Sequence, residues 1–224
     1  LEQHTGVPVL GVMPWLNDLF PPEDSLDLLE RKPSRGPSDL EIAVLKLPSI
    51  SNFSDLDPLE TEASVRLRWV SPGEPLGQPD AVLLPGSKQT LRDLEALRSS
   101  GLDRQLLDFT GRGGSVLAIC GGMQLLGQNL HDPDHLEGGD GAGPWPGLGL
   151  LPLTTQFGGT KALRQREVQA LWPETTPVSG FELHHGSTQA CADLQPLCHE
   201  PGLGWGGATP AGGCIAGTYL HGLL

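Results

Sequence analysis

The sequence lacks the long apolar runs that crossing a membrane requires, and it is poor in basic residues. No apolar run approaches the roughly 20 residues that span a bilayer, and the N-terminus lacks the basic and apolar blocks of a signal peptide. The 14 Lys and Arg residues stand against 27 Asp and Glu residues, for a net charge of −13. A negative net charge is unfavourable for a protein that binds nucleic acid or anionic membranes in general. We therefore expect a cytoplasmic protein with neither nucleic acid nor membrane among its partners.

Cysteine is also scarce, and the spacing of the cysteines does not predict disulfide bonds. The four cysteines are Cys120, Cys191, Cys198 and Cys214. They lack the spacing of a disulfide framework, so reduced thiols are the expectation. Cys191, Cys198 and His199 raise the question of a metal, but the six residues between the two cysteines fit no common zinc motif. We expect no metal site.

Glycine and proline are abundant instead, with 31 and 21 residues, which favours many turns between short elements and a fold that contains a sheet. Residues 6–12, "GVPVLGV", predict a short buried strand. The stretch that follows, up to residue 38, is rich in proline and charge and is typical of a tail and linker.

From residue 40 onward, short apolar runs alternate with helix-like stretches. The apolar runs that predict strands are residues 40–47, 65–70, 81–86 and 115–120. Leu91, Leu94 and Leu97 stand at helical spacing, and Gly101 is a plausible helix end. Apolar strands joined by helices predict an α/β fold, a mostly parallel sheet with helices on both faces and ligands near the carboxyl ends of the strands. A β-rich extension of antiparallel or mixed strands is predicted at residues 148–155, 162–171, 178–188 and 213–222.

The stretch "LAICGGMQ" places Cys120 between an apolar strand and the start of a helix. A nucleophile on such a sharp turn is held exposed, and the helix amino end favours the thiolate. The backbone N–H of Gly121 is a candidate oxyanion donor, with Gly86 in "LLPGSKQT" as the second and His221 in "GTYLHG" as the base. Each of these residues also has a plain structural explanation. An inert, buried Cys120 in a flavodoxin-like binding module therefore stays open as the alternative to a catalytic thiol.

Four motifs in order, "LPGSKQT", "AICGGMQLLG", "GFELHHG" and "GTYLHG", closely resemble the class I glutamine amidotransferase domain of the cobyric acid synthase group, enzymes of cobalamin biosynthesis. The run "ISNFSDLDPL" distinguishes that subgroup from its relatives, and "TGVPVLGVMPWLNDLFPPEDSL" is similar to the end of the group's ATP-binding domain. The resemblance implies a class I amidotransferase-like, flavodoxin-like domain over residues 39–224. It also implies that residues 1–38 are the tail of the upstream synthetase domain and a linker.

The same resemblance implies a glutamine-hydrolysing site. Cys120 would attack the side-chain amide of L-glutamine, and His221 would be the general base and acid. Gly86 and Gly121 would bind the oxyanion, and Gln124 matches a glutamine-contacting position. The ammonia would then serve the ATP-dependent amidation of adenosylcobyrinic acid a,c-diamide at carboxylates b, d, e and g, with ATP and Mg in the synthetase domain.

Two departures from the wider class limit what the chain is expected to do. Many class I members carry a glutamate two residues after the histidine, where this chain has Leu223, so a Cys–His dyad is expected. Glu182 or another carboxylate is then the candidate to orient the imidazole, and Glu182 and His184 are equally candidates to be structural or to face the second substrate. No GxxxxGK[ST] phosphate loop occurs in the 224 residues. We therefore expect the chain to be a fragment truncated at both ends that has no cofactor of its own. The activity expected of it is at best that of a glutaminase. A cobyrinate a,c-diamide synthase, or another class I amidotransferase, is the alternative of like chemistry.

Overall fold

A computed structural model describes residues 2–11, 38–137, 143–159 and 161–224. The chain divides into two compact units, Leu1–Arg31 and Lys32–Leu224. In the first unit, the described residues form a short helix, α1 (Glu2–Thr5), and an exposed segment at 6–11 that contains no strand. The strand predicted at 6–12 is therefore wrong for residues 6–11, and residue 12 lies outside the described residues, as does most of the predicted linker. Leu10 is 99% exposed, so the apolar character of this run has no matching burial among the described residues.

The described part of the second unit contains short helices and many short strands. The helices are a 3₁₀ helix at Phe53–Leu56 and α-helices α2 (Asp57–Thr61), α3 (Thr90–Ser100), α4 (Leu102–Gly111) and α5 (Gly121–Leu126). The strands are β1 (Leu40–Leu45), β2 (Ile50–Ser51), β3 (Val65–Val70), β4 (Ala81–Leu84), β5 (Gly86–Ser87), β6 (Ser115–Ile119), β7 (Asn129–His131), β8 (Trp145–Pro146), β9 (Leu153–Gln156), β10 (Ala162–Ala170), β11 (Thr176–His184), β12 (Ser187–Ala190), β13 (Gln195–Pro196), β14 (Gly204–Ala208), β15 (Cys214–Thr218) and β16 (Leu220–His221). None of these helices has the length and apolar character needed to cross a membrane.

The largest sheet has seven strands in the order β13-β14-β15-β6-β4-β1-β3. The five strands from β15 to β3 pair in parallel, and β13 and β14 continue the sheet in antiparallel pairing. Val44, Val82 and Leu84 in the inner strands have 0% exposure, as expected for parallel strands covered on both faces. The predicted mostly parallel α/β sheet is therefore confirmed.

The helix between the two central strands also agrees with its sequence pattern. Leu91, Leu94 and Leu97 of α3 are all buried, so the helical spacing of these leucines marks the face that packs on the core. Gly101 has a φ of 75°, the left-handed conformation that ends a helix at little cost only in glycine. Helix α4 begins at the next residue.

Three smaller sheets accompany the large one. Two of them, together with β15 of the large sheet, contain the strands of the predicted β-rich extension, and the third, formed by β2 and β5, lies outside it. The long strands β10 and β11 pair in antiparallel fashion, and β16 adds to the other edge of β11. A second sheet has the order β12-β9-β7-β8, and β2 pairs with β5. Both β2 and β5 lie just beyond the carboxyl ends of strands of the large sheet, β1 and β4, so their pairing joins two loops at one edge of that sheet.

We predict that Gly122→Ala destabilises the fold, because Gly122 in α5 packs directly on the chain that leaves β4. A Cβ at Gly122 would lie 2.4 Å from the carbonyl oxygen of Leu84 and 2.7 Å from that of Pro85. Backbone atoms cannot yield as a flexible side chain can, so we expect a loss of about 2–3 kcal/mol in the free energy of unfolding, measured with urea. Gly111→Ala at the end of α4, where a Cβ meets open space, is the matched control and should leave stability unchanged or slightly higher. Equal stability of the two variants would contradict the packing described.

Candidate active site

Cys120 lies on the sharp turn between β6 and α5. Its φ of 53° and ψ of −113° are unusual for a residue with a side chain, a strain of order 1–3 kcal/mol that the surroundings must hold in place. Its backbone N–H donates to the carbonyl of Thr218 (2.7 Å), and its own carbonyl accepts from the N–H of Gln124 (3.1 Å). The turn is thus fixed from both sides. This is the geometry that presents a nucleophile at the end of a strand.

The glycines named from sequence lie in one wall beside this turn. A Cβ on Gly121 would come within 2.7 Å of the Cβ of Ser87 and 2.8 Å of its backbone nitrogen, so only glycine fits there. Gly86 immediately precedes Ser87 in β5 and pairs with Ser51 of β2. The structure therefore brings the segments that carry Gly86 and Gly121 together.

A buried carboxylate fastens this wall to the loop that follows β1. Asp93 of α3 has 0% exposure and accepts hydrogen bonds from the backbone N–H of Ser49 (3.0 Å), the hydroxyl of Ser49 (2.7 Å) and the hydroxyl of Ser87 (2.6 Å). Charge-assisted hydrogen bonds of this kind are roughly twice as strong as neutral ones. Asp93 therefore holds β2 and β5 in register beside Cys120.

His221 is fully buried in β16, where it pairs with Phe181 of β11. Its ring stacks on the Phe181 ring with centroids 4.9 Å apart, and its side chain is near enough to that of Cys120 for the two to interact electrostatically. The thiol of Cys120 also donates to the carbonyl oxygen of Leu183 (3.2 Å). The structure therefore brings the candidate nucleophile and the candidate base close together.

Asp55 supplies a third member that the sequence analysis missed. Nδ1 of His221 donates to the carboxylate of Asp55 (2.7 Å), whose other oxygen accepts from the backbone N–H of Gly222 (2.9 Å). Asn52, in the left-handed conformation just before the 3₁₀ helix, places its side-chain nitrogen 3.3 Å from Nε2 of His221. The structure thus places a carboxylate, that of Asp55, beside the expected pair of Cys120 and His221. The sequence signal for Asp55 was the run "ISNFSDLDPL", which contains this residue and was quoted above without a chemical role.

The environment of His221 favours its charged form. Burial of the imidazole opposes protonation, but the hydrogen bonds with Asp55 and Cys120 outweigh it and raise the pKa of His221 to about 9. At neutral pH the ring is therefore an imidazolium held between a carboxylate and a thiol. Such a partner stabilises a cysteine thiolate, the form that acts as a nucleophile.

A cavity of about 320 Å³ opens onto Cys120. It is lined by Ser51, Asn52, Ser87, Lys88, Thr90, Cys120, Gln124, Glu137, Phe157, Lys161, Leu183, His184 and His185. The volume lies at the small end of the range for ligand sites, which suits a ligand of amino-acid size.

Gln124, one turn after Cys120, lines this cavity with its amide already engaged. Its Nε2 donates to the carbonyl of His185 (3.1 Å) and to the hydroxyl of Tyr219 (3.0 Å), and its Oε1 accepts from Thr90 (3.2 Å). Both amide hydrogens are used, which leaves one lone pair on Oε1 for a ligand. In this structure the side chain of Gln124 joins the residue after β11 to Thr90 and Tyr219.

Glu182 does not orient His221, so that option of the sequence analysis is wrong. Its Oε2 accepts from Nε (2.8 Å) and a terminal nitrogen (2.6 Å) of Arg166, and its Oε1 lies 2.9 Å from Nε2 of His184. Burial opposes the ionised carboxyl, but the hydrogen bonds from His184 and Arg166 outweigh it and lower the pKa of Glu182. His184 lines the cavity, so an Arg166–Glu182–His184 chain leads to the wall of the site.

Glu137 is a further cavity residue that the sequence analysis missed. Asp132, with 0% exposure, accepts from the backbone N–H of Glu137 (2.8 Å), and Oε2 of Glu137 lies 3.4 Å from the backbone N–H of Leu91, which donates to it. Burial raises the pKa of Glu137 to about 7, although the hydrogen bonds from Leu91 and Thr90 oppose the rise. The residue stands in a glycine-rich stretch without periodicity, so no local pattern marked it.

The structure does not bring Cys191 and Cys198, the cysteines considered above as metal ligands, into one metal site. Cys191 is exposed, whereas Cys198 is buried and its thiol approaches the carbonyl of Glu200 (3.4 Å). Within the part of the chain that the structure describes, no three His, Cys, Asp or Glu side chains are grouped so as to hold a metal ion.

Comparison with known proteins gives one family and a set of close relatives. Residues 41–224 match the model of the CobB/CobQ-like glutamine amidotransferase domain. The whole chain is 87% identical to a cobyric acid synthase from Parasynechococcus marenigrum (strain WH8102) and 69% identical to one from Synechococcus sp. (strain CC9605). The chain spans 45% of the length of each of these two relatives.

Solved structures share the fold at low sequence identity. A chain of PurLQS from Thermotoga maritima has a TM-score of 0.59 at 14% identity, covering 82% of this chain and 87% of that one. A crystal structure of a glutamine amidotransferase has a TM-score of 0.56 at 15% identity, covering 81% of this chain and 89% of that one. These likenesses confirm the predicted class I amidotransferase-like fold.

Replacing Asp55 by Asn should slow the reaction of Cys120 with iodoacetamide. The substitution keeps the shape but removes the charge that favours the imidazolium of His221, so the thiolate loses its partner. We expect the alkylation rate of Cys120 at pH 7 to fall about tenfold or more, followed by mass spectrometry of the peptide that contains it. Asp108→Asn, at an exposed position on α4, is the matched control and should react like the wild type. An unchanged rate in Asp55→Asn would contradict the three-residue arrangement.

The stability that His221 contributes should vanish at alkaline pH. Its pKa of about 9 in the folded protein lies above the value of 6.5 for an unperturbed imidazole, so the folded state binds the proton more tightly. This contribution is fully present below pH 6.5 and is lost as the pH rises through 9. We expect the difference in the free energy of urea unfolding between wild type and His221→Gln to shrink between pH 6.5 and pH 9.5. A difference that stays constant or grows would show that the charged imidazole does not stabilise the fold.

Proposed function

Because the chain belongs to the family of CobB/CobQ-like glutamine amidotransferase domains, we propose that it hydrolyses the side-chain amide of L-glutamine and releases ammonia. The observation that carries the proposal is the contact of Cys120, on its strained turn at the cavity, with a buried His221 that Asp55 orients. We also propose that residues 39–224 are the amidotransferase domain and residues 1–38 the end of a neighbouring domain with its linker.

The reaction proceeds through a thioester. The thiolate of Cys120 attacks the side-chain carbonyl carbon of glutamine, and the imidazolium of His221 gives its proton to the departing nitrogen, which leaves as ammonia. Water then attacks the glutamyl thioester while His221 takes a proton from it, so that glutamate is released and the thiolate of Cys120 and the imidazolium of His221 are restored. Asp55 keeps Nδ1 of His221 protonated, so that Nε2 faces the reaction.

The oxyanion formed in both steps is bound by backbone N–H groups of Gly86 and Gly121. Their segments lie against each other beside Cys120, and Asp93 fixes that wall through Ser87. Preorganised donors of this kind cost no rearrangement at the moment of reaction, which is why removing one costs about 10² to 10³ in rate in other hydrolases.

The charged side chains of the cavity suit the two ends of an amino acid. Glu137 is half-buried and its pKa is raised, so a cation placed against its carboxylate relieves the cost of its burial. The α-ammonium of glutamine is such a cation, and the remaining lone pair of Gln124 supplies a second acceptor. Lys88 and Lys161 line the same cavity and are the candidates for the α-carboxylate.

The ammonia serves amidation of a corrinoid precursor in the full-length protein. The cobyric acid synthases that resemble the whole chain support this assignment, and the chain spans less than half of their length. We assign ATP, Mg and the amidation of adenosylcobyrinic acid a,c-diamide at carboxylates b, d, e and g to the remainder of such proteins. The 224 residues themselves contain no phosphate loop. A cobyrinate a,c-diamide synthase remains the alternative, since the family description covers both groups.

The test of the glutaminase proposal is covalent labelling by a diazoketone analogue of glutamine. We expect a single adduct, on Cys120, that excess glutamine prevents, because only this thiol contacts an imidazolium inside the cavity. Cys214→Ser is the matched control and should label like the wild type, whereas Cys120→Ser should neither label nor release ammonia from glutamine. Ammonia release by Cys120→Ser, or an accessible Cys120 that stays unlabelled, would refute the role of this thiol.

A further inference from the structure

Asn52 presents an unused hydrogen-bond acceptor to the cavity of Cys120. The residue lines the cavity, and its side-chain nitrogen contacts the ring of His221. Its Oδ1 has no hydrogen-bond partner among the described residues, yet it is not one of the unpaired atoms that are closed to solvent. His221 itself has 0% exposure. The accessible acceptor beside the buried imidazole is therefore the side-chain oxygen of Asn52.

The local structure frees this side chain from its usual task. Asn52 precedes the 3₁₀ helix in the left-handed conformation, with a φ of 49°, which asparagine adopts more readily than most residues. An asparagine at the start of a helix commonly accepts from a backbone N–H of the first turn, but Asn52 makes no such bond. Asp55, which holds Nδ1 of His221, stands three residues later, where side chains of a 3₁₀ helix lie above one another. One short segment thus contacts the imidazole with two side chains.

The amide of Asn52 leaves the reactive direction of Nε2 open. Its nitrogen lies 3.3 Å from Nε2 and 3.5 Å from Nδ1 of His221. The N–H or lone-pair axes of the two ring nitrogens diverge, so an atom on one axis would lie much farther from the other nitrogen. The amide therefore rests against the ring. The axis of Nε2 is left to Cys120 and to a reactant in the cavity.

We propose that Oδ1 of Asn52 holds the hydrolytic water against Nε2 of His221 in the second step of the reaction. This inference rests on the glutaminase function proposed above and adds a water-positioning residue to it. Once His221 has given its proton to the departing ammonia, Nε2 carries a lone pair. The water donates one hydrogen to Nε2 and the other to Oδ1, and its oxygen attacks the carbonyl carbon of the thioester. The first proton passes to Nε2, the carbon–sulfur bond breaks, and glutamate and the thiolate of Cys120 are released.

This contact matters more for water than for the amide that reacts first. The carboxamide nitrogen arrives as part of glutamine, which the cavity binds through its other groups as well. Water arrives as a separate small molecule, so a fixed acceptor removes part of the entropic cost of placing it for attack. Loss of Oδ1 should therefore slow hydrolysis of the thioester more than its formation.

The test measures the two steps separately in Asn52→Gly, by rapid mixing with glutamine, quenching in acid and mass spectrometry of Cys120. Glycine suits the left-handed backbone and removes the acceptor. We expect the rate of thioester formation to stay within about threefold of the wild type, while the rate of its hydrolysis falls about tenfold, the loss typical of one hydrogen bond. The acylated fraction of Cys120 in the steady state should rise accordingly.

Three variants and a second nucleophile separate the acceptor from packing. Asn52→Asp keeps an oxygen at this place and should retain most of the hydrolysis rate. Asn52→Leu fills the space without an acceptor and should behave like Asn52→Gly. Hydroxylamine attacks a thioester without help from a base, so it should restore turnover in both slow variants. His135→Gly, at an exposed position with a φ of 54°, is the matched control for glycine in a left-handed turn and should keep the wild-type ratio of the two rates.

The outcomes separate the inference from the function on which it rests. Hydrolysis that is unchanged in Asn52→Gly and Asn52→Leu, or slowed as much in Asn52→Asp, overturns the role of Oδ1 while the glutaminase proposal stands. Equal slowing of thioester formation and hydrolysis also overturns that role, because it indicates a general disturbance of the site. A wild-type protein that releases no ammonia from glutamine overturns both proposals.

Discussion

The buried hydrogen bond between His221 and Asp55 is the interaction on which the site depends. It joins residues 166 positions apart in the sequence, the segment after β1 and the short strand β16. Asp55 also accepts from the backbone of Gly222, so the same carboxylate holds the turn after the histidine. Without it, the imidazole would be buried without the charge that keeps its pKa high, and the thiol of Cys120 would face an unoriented ring. The geometry of the reaction and the packing of the two segments are thus set by one contact.

The turn at Cys120 shows how the fold sustains a strained nucleophile. Its positive φ persists because glycines on the helix side allow backbones to meet at distances that no Cβ permits, with Gly121 against Ser87 and Gly122 against Leu84. Asp93 then fixes Ser87 from the other side. The strain at one residue is therefore supported by close packing around it, as is usual where a fold presents a reactive group.

Local patterns in the sequence predicted the parts of the fold that local physics controls. The apolar runs at β1, β3, β4 and β6 and the leucine spacing of α3 marked the central sheet and its helix, and the turn at Cys120 followed from a strand meeting two glycines. Contacts between distant segments had no such signal. Asp55 meets His221 only once the loop after β1 folds toward β16, and Arg166 meets Glu182 only through the register of β10 on β11. The apolar run misled at residues 6–11 because apolar character alone does not make a strand, and no strand of the described residues pairs with this segment.

The central claim is that Cys120 forms a covalent glutamyl intermediate. The most direct measurement is to mix the protein with glutamine, quench in acid within the first turnovers and map acyl adducts by mass spectrometry. The structure predicts a glutamyl thioester on Cys120 that is absent in Cys120→Ser. Ammonia released from glutamine with no acyl group ever found on Cys120 would contradict the account.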